Sequence, residues 1–534
     1  MELSFTNNVG LTTSQGDVAM NADIARELFN VDGSGVLIGV LSDSFNNLGL
    51  AESDVASGDL PSGIQVLQDY PEGGSDEGRA LMQLIHDVAP GANFLFHTPY
   101  QSLSPYESQV EYANAILKLA DAGARIIVSD VAIPFEPMFQ DGIIAQTIDS
   151  VTSRPGASSV SYFAAAGNEN RRSYESPFNP SGVIDPISGG EFHDFDPGPG
   201  VDTFQRITIP SGAGLLLPFQ WDSPFFSVSG GAGSPNDLDI FLYDSSGTNV
   251  LASSTESNIN QDPAEFLSFL NEGPTGEFNL AISKKGGPDP GLMKYVAAGG
   301  GRDFKINEFD TASSTIFGNR NAKGAIAVGA ASYLETPAFG VDPAQLRLFS
   351  SAGGTPILFD TDGNRLLCPE VREQPGIVAP DGGNTTFFGE DIPEDADDFP
   401  NFPGTSASVA HAAAVAALLL QADPSLSSTH IYNILQATAL DMDDSSTPEF
   451  DVGFDFVTGY GLIQADRALS LVKEPCLETP SELDLWALGS HIEPRHDNLY
   501  SLPDFSCYGS NMSISWELGY PIDGTNTLTP PYVI

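Results

Sequence analysis

The stretch NFPGTSASVAHAAAVAALLL, Asn401–Leu420, begins with a Gly-Thr-Ser turn and continues as a run of alanines and leucines. The run predicts a helix, and its small side chains would let that helix pack close to a sheet. Ser406 falls in the first helical turn, where free backbone N–H groups create a positive potential. That potential would stabilise an alkoxide or an oxyanion. Taken by itself, however, the local sequence favours a simple helix cap.

Nearly continuous apolar runs recur on both sides of this helix. They are found at Val36–Leu41 and in the segments 91–98, 124–133, 160–168 and 324–332. Such runs suit strands that are buried on both faces of a parallel sheet. Helical patterns lie between them, at 19–29, 77–88, 105–122 and 140–153. The alternation predicts an α/β fold, a parallel sheet flanked by helices.

The pattern of apolar residues in the sequence changes near residue 190. From 191 to 300, short alternating segments are separated by Gly, Ser, Pro and Asn turns, and helical periodicity is nearly absent. This pattern predicts an inserted antiparallel β-sandwich. The α/β domain would then consist of two parts, 19–190 and 301–473. The polar, turn-rich remainder, 474–534, is interpreted as a loose tail or a small β extension.

The composition excludes several classes of partner. The 534 residues include 71 acidic and 21 basic side chains, a net charge of -50. Nucleic acid is an improbable partner because phosphate binding needs a basic face. No apolar run reaches the length of about 18 residues that a membrane span requires. The N-terminus lacks the pattern of a signal peptide, although a leader absent from this numbering would still permit secretion.

Three polar residues follow predicted strands or begin a helix where ligands bind in α/β proteins. Asp43 follows the run VLIGVLS, Asn168 follows SYFAAAG, and Ser406 begins the alanine-rich helix. The carboxyl ends of parallel strands share one edge of the sheet, and ligands bind outside that edge. We therefore expect these three side chains to lie near one another.

These segments together resemble the subtilisin-like serine proteases. GTSASVAH is similar to the nucleophile motif of that family, VLIGVLSDSF to its catalytic-Asp segment, and AAAGNE to its oxyanion-hole segment. The segments GAIAVGAAS, LFSSAGG and GIVAPDGG also match the stretch before the nucleophile. The resemblance covers roughly 19–190 and 301–473. It implies peptide hydrolysis through an acyl-enzyme on Ser406, with Asn168 as the oxyanion donor.

The sequence departs from the family at the general base. The family has a helix that opens with His-Gly, whereas this chain has Glu77-Gly78 and contains no His-Gly dipeptide. His86 lies nine residues further along the same helix, roughly 13 Å away at ~1.5 Å per residue. His411 is the other weaker alternative. The related sedolisins use a Ser-Glu-Asp triad, so we expect Glu77 to be the base, oriented by Asp43.

A carboxylate base needs surroundings that raise its pKa. A free Glu has a pKa of ~4.3, too low to accept a serine proton well at neutral pH. Two carboxyl groups held together share a proton, and one apparent pKa rises. Asp43 with Glu77 would form such a pair, with Asp76 adding to the field. The expected enzyme therefore has an acid pH optimum.

A catalytically inactive scaffold with the same fold is the alternative, because loss of the triad histidine usually means loss of the base. Asp43, Asn168 and Ser406 all remain, which favours an active serine endopeptidase acting on protein or peptide substrates. An adhesion protein that acts through the insert and the tail has little support. The family resemblance implies a secreted or cell-surface protein.

The family resemblance implies two further features. The segment Ser129, Asp130, Val131 and Ala132 is equivalent to the strand that pairs with the peptide substrate. NDLDIFLYDSSGTNVLASS, at 236–254, resembles the pre-peptidase C-terminal domain, a small β-sandwich. No cofactor is required by this chemistry. Calcium is a possible structural ion, suggested by DTDGN (Asp360–Asn364), but no metal ligands are assigned.

Overall fold

The structure, a computed structural model, describes residues 10–100, 105–299, 304–445 and 447–474. The predicted tail from 475 onward lies outside the described residues. Within the described residues, the α-helices in chain order are α1 (Gly16–Ala19), α2 (Ala22–Phe29), α3 (Ala51–Ser57), α4 (Glu77–Val88), α5 (Pro105–Asp121), α6 (Ile143–Thr152), α7 (Phe226–Ser229), α8 (Thr405–Ala422), α9 (Ser428–Thr438) and α10 (Ala465–Ser470).

The strands of the described residues form five sheets. They are β1 (Leu37–Leu41), β2 (Gln65–Gln68), β3 (Asn93–His97), β4 (Ile126–Ser129), β5 (Ser161–Ala165), β6 (Ser173–Ser176), β7 (Pro180–Ile184), β8 (Glu191–His193), β9 (Gln205–Ile209), β10 (Gly214–Trp221), β11 (Asp237–Tyr243), β12 (Val250–Ser254), β13 (Ala264–Leu270), β14 (Gly276–Gly286), β15 (Met293–Val296), β16 (Ala298–Gly299), β17 (Lys305–Ile306), β18 (Ala325–Ser332), β19 (Pro356–Phe359), β20 (Arg365–Val371), β21 (Ile377–Asp381), β22 (Gly383–Asn384) and β23 (Asn401–Phe402).

The central sheet is parallel and has seven strands in the order β2-β3-β1-β4-β5-β18-β21. Its inner strands are buried along their length, as their apolar runs predict. On one face, α4 and α8 pack against Ile126 and Val128; on the other, α5 and α6 pack against Ile127. Alternate residues of one strand thus point into two different cores. The predicted α/β fold, a parallel sheet flanked by helices, is confirmed.

Helix α8 lies against the sheet and is buried from Thr405 to Leu420. It contacts β4, β5, β18 and β21 as well as α4, and the small alanine side chains permit this close approach. Among the described helices, α8 is also the one that is long and apolar enough to cross a membrane by length and composition. Its 83% burial identifies it instead as a core helix.

Antiparallel strands fill the interval between β5 and β18. One sheet has the order β13-β10-β15-β6, and the other has β12-β11-β14-β8-β7. Apolar residues of both sheets, such as Phe219 and Ile240, share one hydrophobic cluster, so the sheets form two packed layers.

The pairing of these antiparallel strands extends beyond the predicted limits of 191 and 300. It begins at Ser173, where SYES of β6 pairs with MKYV of β15, and it ends at Ile306 of β17. Segments of two to four residues carry too little alternation to be recognised as strands without their partners.

Candidate active site

The ends of β1 and β4 bring two Ser-Asp pairs side by side. Leu41 of β1 is in register with Ser129 of β4, so the residues that follow each strand leave the sheet together. The Ser42 hydroxyl donates a hydrogen bond to Oδ2 of Asp130, at 2.9 Å. Asp130 therefore stands beside Ser42, the residue before Asp43, on the carboxyl edge of the sheet, where ligands bind in α/β folds.

Asp43 fixes the beginning of α4. Its Oδ1 accepts the backbone N–H of Glu77 at 3.0 Å, and its Oδ2 accepts both the N–H and the hydroxyl of Ser75, at 2.5 and 2.7 Å. These bonds satisfy N–H groups at the start of the helix that have no intrahelical partner. Asp43 thus orients Glu77 through the main chain of Glu77.

Gly78 allows α4 to approach β1 closely. A Cβ at this position would lie 2.4 Å from the ring of Phe96 and 2.8 Å from the carbonyl oxygen of Ser44. Neither the ring nor the backbone atom has room to give way, so a larger residue would push the helix outward. The glycine explains how the Glu77 side chain comes near the residues that follow β1 and β4.

Ser406 lies at the start of α8 and is 9% exposed. The preceding Gly404 has φ 113°, a conformation that favours glycine, and its N–H donates to Asp381 at 2.9 Å. The backbone N–H and the hydroxyl of Thr405 both donate to Oδ1 of Asn168, each at 3.1 Å. These contacts hold the serine at the helix N-terminus.

Asn168 is exposed and adjoins the serine turn. Because its Oδ1 accepts from Thr405, its amide nitrogen is the group left to bind a ligand. That nitrogen would lie 3.5 Å from a Cβ placed on Gly404. The amide N–H groups of Asn168 and the N-terminus of α8 therefore lie close together, the combination of donors that an oxyanion requires.

The Glu77 side chain lies near Ser406 and near the acids that follow β1 and β4. The hydroxyl of Ser406 and the carboxyl group of Asp130 both lie near enough to its carboxyl group to lower the pKa of Glu77. Burial nevertheless raises the pKa of Glu77 above its ordinary value, and the negative charge of Asp43 raises it further. Serine, glutamate and two aspartates are thus brought together.

Asp130 is the carboxyl partner of Glu77. Burial, and after it the charge of Glu77, raise the pKa of Asp130 well above its ordinary value. Asp43 stays the predicted orienting acid: it binds backbone N–H groups of the α4 start, and its charge raises the pKa of Glu77, while Asp130 is a second acid near the Glu77 side chain. Asp76 faces elsewhere, because its carboxylate forms an ion pair with Arg79 at 3.1 Å.

Neither alternative histidine adjoins the serine. His86 is buried near the other end of α4, where burial lowers its pKa to about 4 and its neighbours are Gly58 and Asp59. His411 is buried in α8, with Nδ1 2.8 Å from the carbonyl oxygen of Pro380 and Nε2 2.7 Å from the hydroxyl of Ser14. Both are structural in these positions.

The segment predicted to bind substrate, Ser129 to Ala132, is partly occupied by internal contacts. The Ser129 hydroxyl lies 2.5 Å from that of Tyr112, and the N–H of Val131 donates to Ser129 at 3.2 Å. The carbonyl of Val131 accepts from Asn319 at 3.0 Å. The backbone groups of Asp130 and Ala132 remain the candidates in this segment for pairing with a peptide.

The suggested calcium loop, Asp360–Asn364, is a tight turn between β19 and β20. Oδ1 of Asp360 accepts the N–H groups of Asp362 and Asn364, at 3.0 and 2.8 Å, and its Oδ2 accepts the side chain of Asn364. Internal donors therefore satisfy this carboxylate, and no group of three or more His, Cys, Asp or Glu in the described residues is arranged to hold a metal ion.

Sequence reasoning missed the role of the Asp130 side chain and of Ser42. A signal was present, because β1 and β4 end in the same dipeptide: VLSD ends at Asp43 and IVSD at Asp130. The two endings are offset by one residue in the sheet, because Leu41 is in register with Ser129, and this offset places Asp130 beside Ser42. The order of strands in the sheet is needed before that signal can be used.

Comparisons with known proteins find one family model and several solved structures that are similar to this chain. The model of the subtilase family matches residues 245–461, which include the Gly404–Ser406 turn and start after the other site residues. The CspB protease of Clostridium perfringens is similar in structure, with 14% identity and a TM-score of 0.50, over 86% of this chain and 97% of that one. The MycP3 protease from the type VII (ESX-3) secretion system has 15% identity and a TM-score of 0.40, over 88% and 90%.

No curated protein matches this chain in sequence. The similarity to the CspB protease supports the subtilisin-like fold, and the subtilase match supports a serine-type peptidase that acts on protein substrates.

Proposed function

We propose that this protein is a serine endopeptidase that cleaves peptide bonds through an acyl-enzyme on Ser406, with Glu77 as the general base. The observation that carries the proposal is that the Glu77 carboxyl group lies near the Ser406 hydroxyl, which lowers its pKa, while Asn168 binds the turn that holds this serine. A nucleophile and a base within hydrogen-bonding reach form the essential pair of a serine hydrolase. Helix α4 and the carboxylate of Asp43 hold the base in place.

The steps follow from this arrangement. Oγ of Ser406 attacks the peptide carbonyl carbon while Glu77 takes the hydroxyl proton. The oxyanion that forms accepts hydrogen bonds from the Asn168 amide and the N-terminus of α8. Glu77 then gives the proton to the leaving amine as the C–N bond breaks. In the second half, Glu77 takes a proton from water, which attacks the acyl group, and returns that proton to Ser406.

Substrate and location are also proposed. The backbone of Asp130 and Ala132 would pair with an extended peptide, since Val131 is satisfied internally. We retain a secreted or cell-surface location, for which the support is the family resemblance, and calcium as a possible structural ion. The resemblance of the antiparallel layers to a pre-peptidase C-terminal domain remains a proposal as well; their role is substrate docking or structural support.

A covalent probe tests the proposal. A serine-directed fluorophosphonate, applied to the full chain across a range of acid and neutral pH, should label the parent and not Ser406→Ala. Ser408→Ala is the matched control, because Ser408 lies in the same helix, fully buried, and should leave labelling intact. An inactive scaffold would give no labelling of the parent at any pH and no hydrolysis of a general protein substrate.

A further inference from the structure

The contact between Glu77 and Asp130 has no cation to balance it. None of the ion pairs among the described residues includes either carboxyl group. The charged and titratable groups that face the pair are Asp43 and Tyr100, neither of which supplies positive charge. Two ionised carboxylates in contact at a shielded site repel one another strongly.

The hydrogen bonds of Asp130 indicate how this repulsion is avoided. Its Oδ2 accepts from Ser42, whereas Oδ1 is shielded from solvent and has no hydrogen-bond donor among the described residues. A buried carboxylate oxygen without a donor is costly. If Oδ1 carries a proton, it becomes a donor to the Glu77 carboxylate, and the unpartnered atom and the repulsion are resolved together.

The fold brings the two acids to the same edge of the sheet. Ile38 to Leu41 of β1 are in register with Ile126 to Ser129 of β4, so Asp130 cannot leave the edge of β1 without breaking the sheet. Asp43 binds the first N–H groups of helix α4, and Gly78 lets this helix pack closely against Phe96 and Ser44. The pair is therefore a built feature of the sheet edge.

We propose that Asp130 is a positioning residue that holds a proton shared with Glu77, and so keeps Glu77 ionised and directed at Ser406. This inference rests on the proposed function. Asp130–Oδ1–H donates to one Glu77 oxygen and leaves the other to accept the serine proton. When Glu77 has taken that proton, both carboxyl groups are neutral, and no additional negative charge opposes the oxyanion at the carbonyl of the substrate.

The dependence on pH has a defined sign. Burial raises the pKa of both groups, and a neighbouring negative charge adds to it: that of Asp43 for Glu77 and that of Glu77 for Asp130. The pair therefore retains one proton at a pH at which free carboxyl groups have lost theirs. Activity is lost on the alkaline side as that proton leaves, and on the acid side as a second proton neutralises Glu77. Asp43 and Tyr100 are the other titratable groups that face the pair.

The test is the pH profile of Asp130→Asn. The asparagine amide would donate to Glu77 at every pH, as the protonated aspartate does. We expect the alkaline limb of kcat/KM to move to higher pH, so that the variant exceeds the parent about tenfold on the alkaline side of the parent's optimum. Asp130→Ala, which has no donor, should lose about a hundredfold in kcat with KM little changed. Asp239→Asn, a buried carboxyl group of β11, is the matched control and should leave both limbs in place.

The outcomes separate the two proposals. If Ser406→Ala is inactive and Asp130→Asn has the limbs of the parent, the serine peptidase stands and the role of Asp130 is rejected. If Ser406→Ala is as active as the parent, the proposed function itself fails. Should Asp130→Asn not fold, Ser42→Ala gives the same decision: the hydrogen bond from Ser42 lowers the pKa of Asp130, so its loss should move the alkaline limb to higher pH. An unmoved limb would reject the role of Asp130.

Discussion

Two adjacent acids at the start of α4 have opposite surroundings. Asp76 is fully buried and forms an ion pair with Arg79, whose guanidinium is equally buried and also binds Asp54. Glu77, the next residue, contacts a serine hydroxyl and a second carboxyl group and has no cation. Asp76 is therefore a structural acid, whose charge is balanced by the fixed charge of Arg79. Glu77 is the chemical acid, whose charge is balanced by a proton that can move.

The largest expected effect comes from removing the chemical acid. Glu77→Gln keeps the shape of the side chain and a hydrogen bond to Ser406 but cannot accept a proton. We expect kcat/KM to fall by about 10³-fold or more, with little change in the melting temperature. Glu72→Gln, an exposed acid in the loop before α4, serves as the control. If Glu77→Gln were as active as the parent, Glu77 would not be the general base, and it would not differ in role from Asp76.

Removing the fixed charge should act on stability instead. Arg79→Met leaves Asp54 and Asp76 buried without their partner, which costs about 3–5 kcal/mol of unfolding free energy in comparable cases. The loss is measured by denaturant unfolding at neutral pH. Variant enzyme that remains folded should keep the pH limits of the parent. A shifted pH profile without a loss of stability would reverse the assignment of the two acids.

A smaller effect is expected at the donor side of the site. Asn168→Ala removes an amide close to the start of α8, and loss of one oxyanion donor typically costs about 10²–10³-fold in kcat. Because Oδ1 of Asn168 also accepts from Thr405, a moderate loss of stability should accompany the change. The pH limits should not move, since no titratable group is altered. A loss confined to KM would show that Asn168 binds substrate and does not stabilise charge.

Much of this organisation could be read from the sequence, and the reasons differ from one residue to the next. Ser406 and Asn168 were identified because each lies in a contiguous motif, and the parallel sheet because buried strands have long apolar runs. The place of the Asp130 side chain near Glu77 was not predicted. Asp130 is far from Glu77 in sequence, and the register of β1 with β4 places it beside Ser42, the residue before Asp43.

The same limit applies to the antiparallel layers. Their long strands, such as β11 and β14, alternate clearly enough to predict a β-sandwich. The outer strand β6 is four residues long and is defined by its pairing with β15. A local sequence pattern predicts a secondary-structure element when the element is long. Short strands and side-chain pairs depend on contacts between residues that are far apart in the sequence.

The central claim is that a carboxyl pair sharing one proton replaces the histidine of a serine peptidase. The most direct measurement is the pH dependence of kcat/KM for the unmodified protein on a peptide substrate whose own charge does not change over the range. The account predicts a bell-shaped profile with its maximum on the acid side of neutrality, because the pair must hold one proton, neither two nor none. A profile that is still rising above about pH 8, well beyond the range in which carboxyl groups usually titrate, would contradict it.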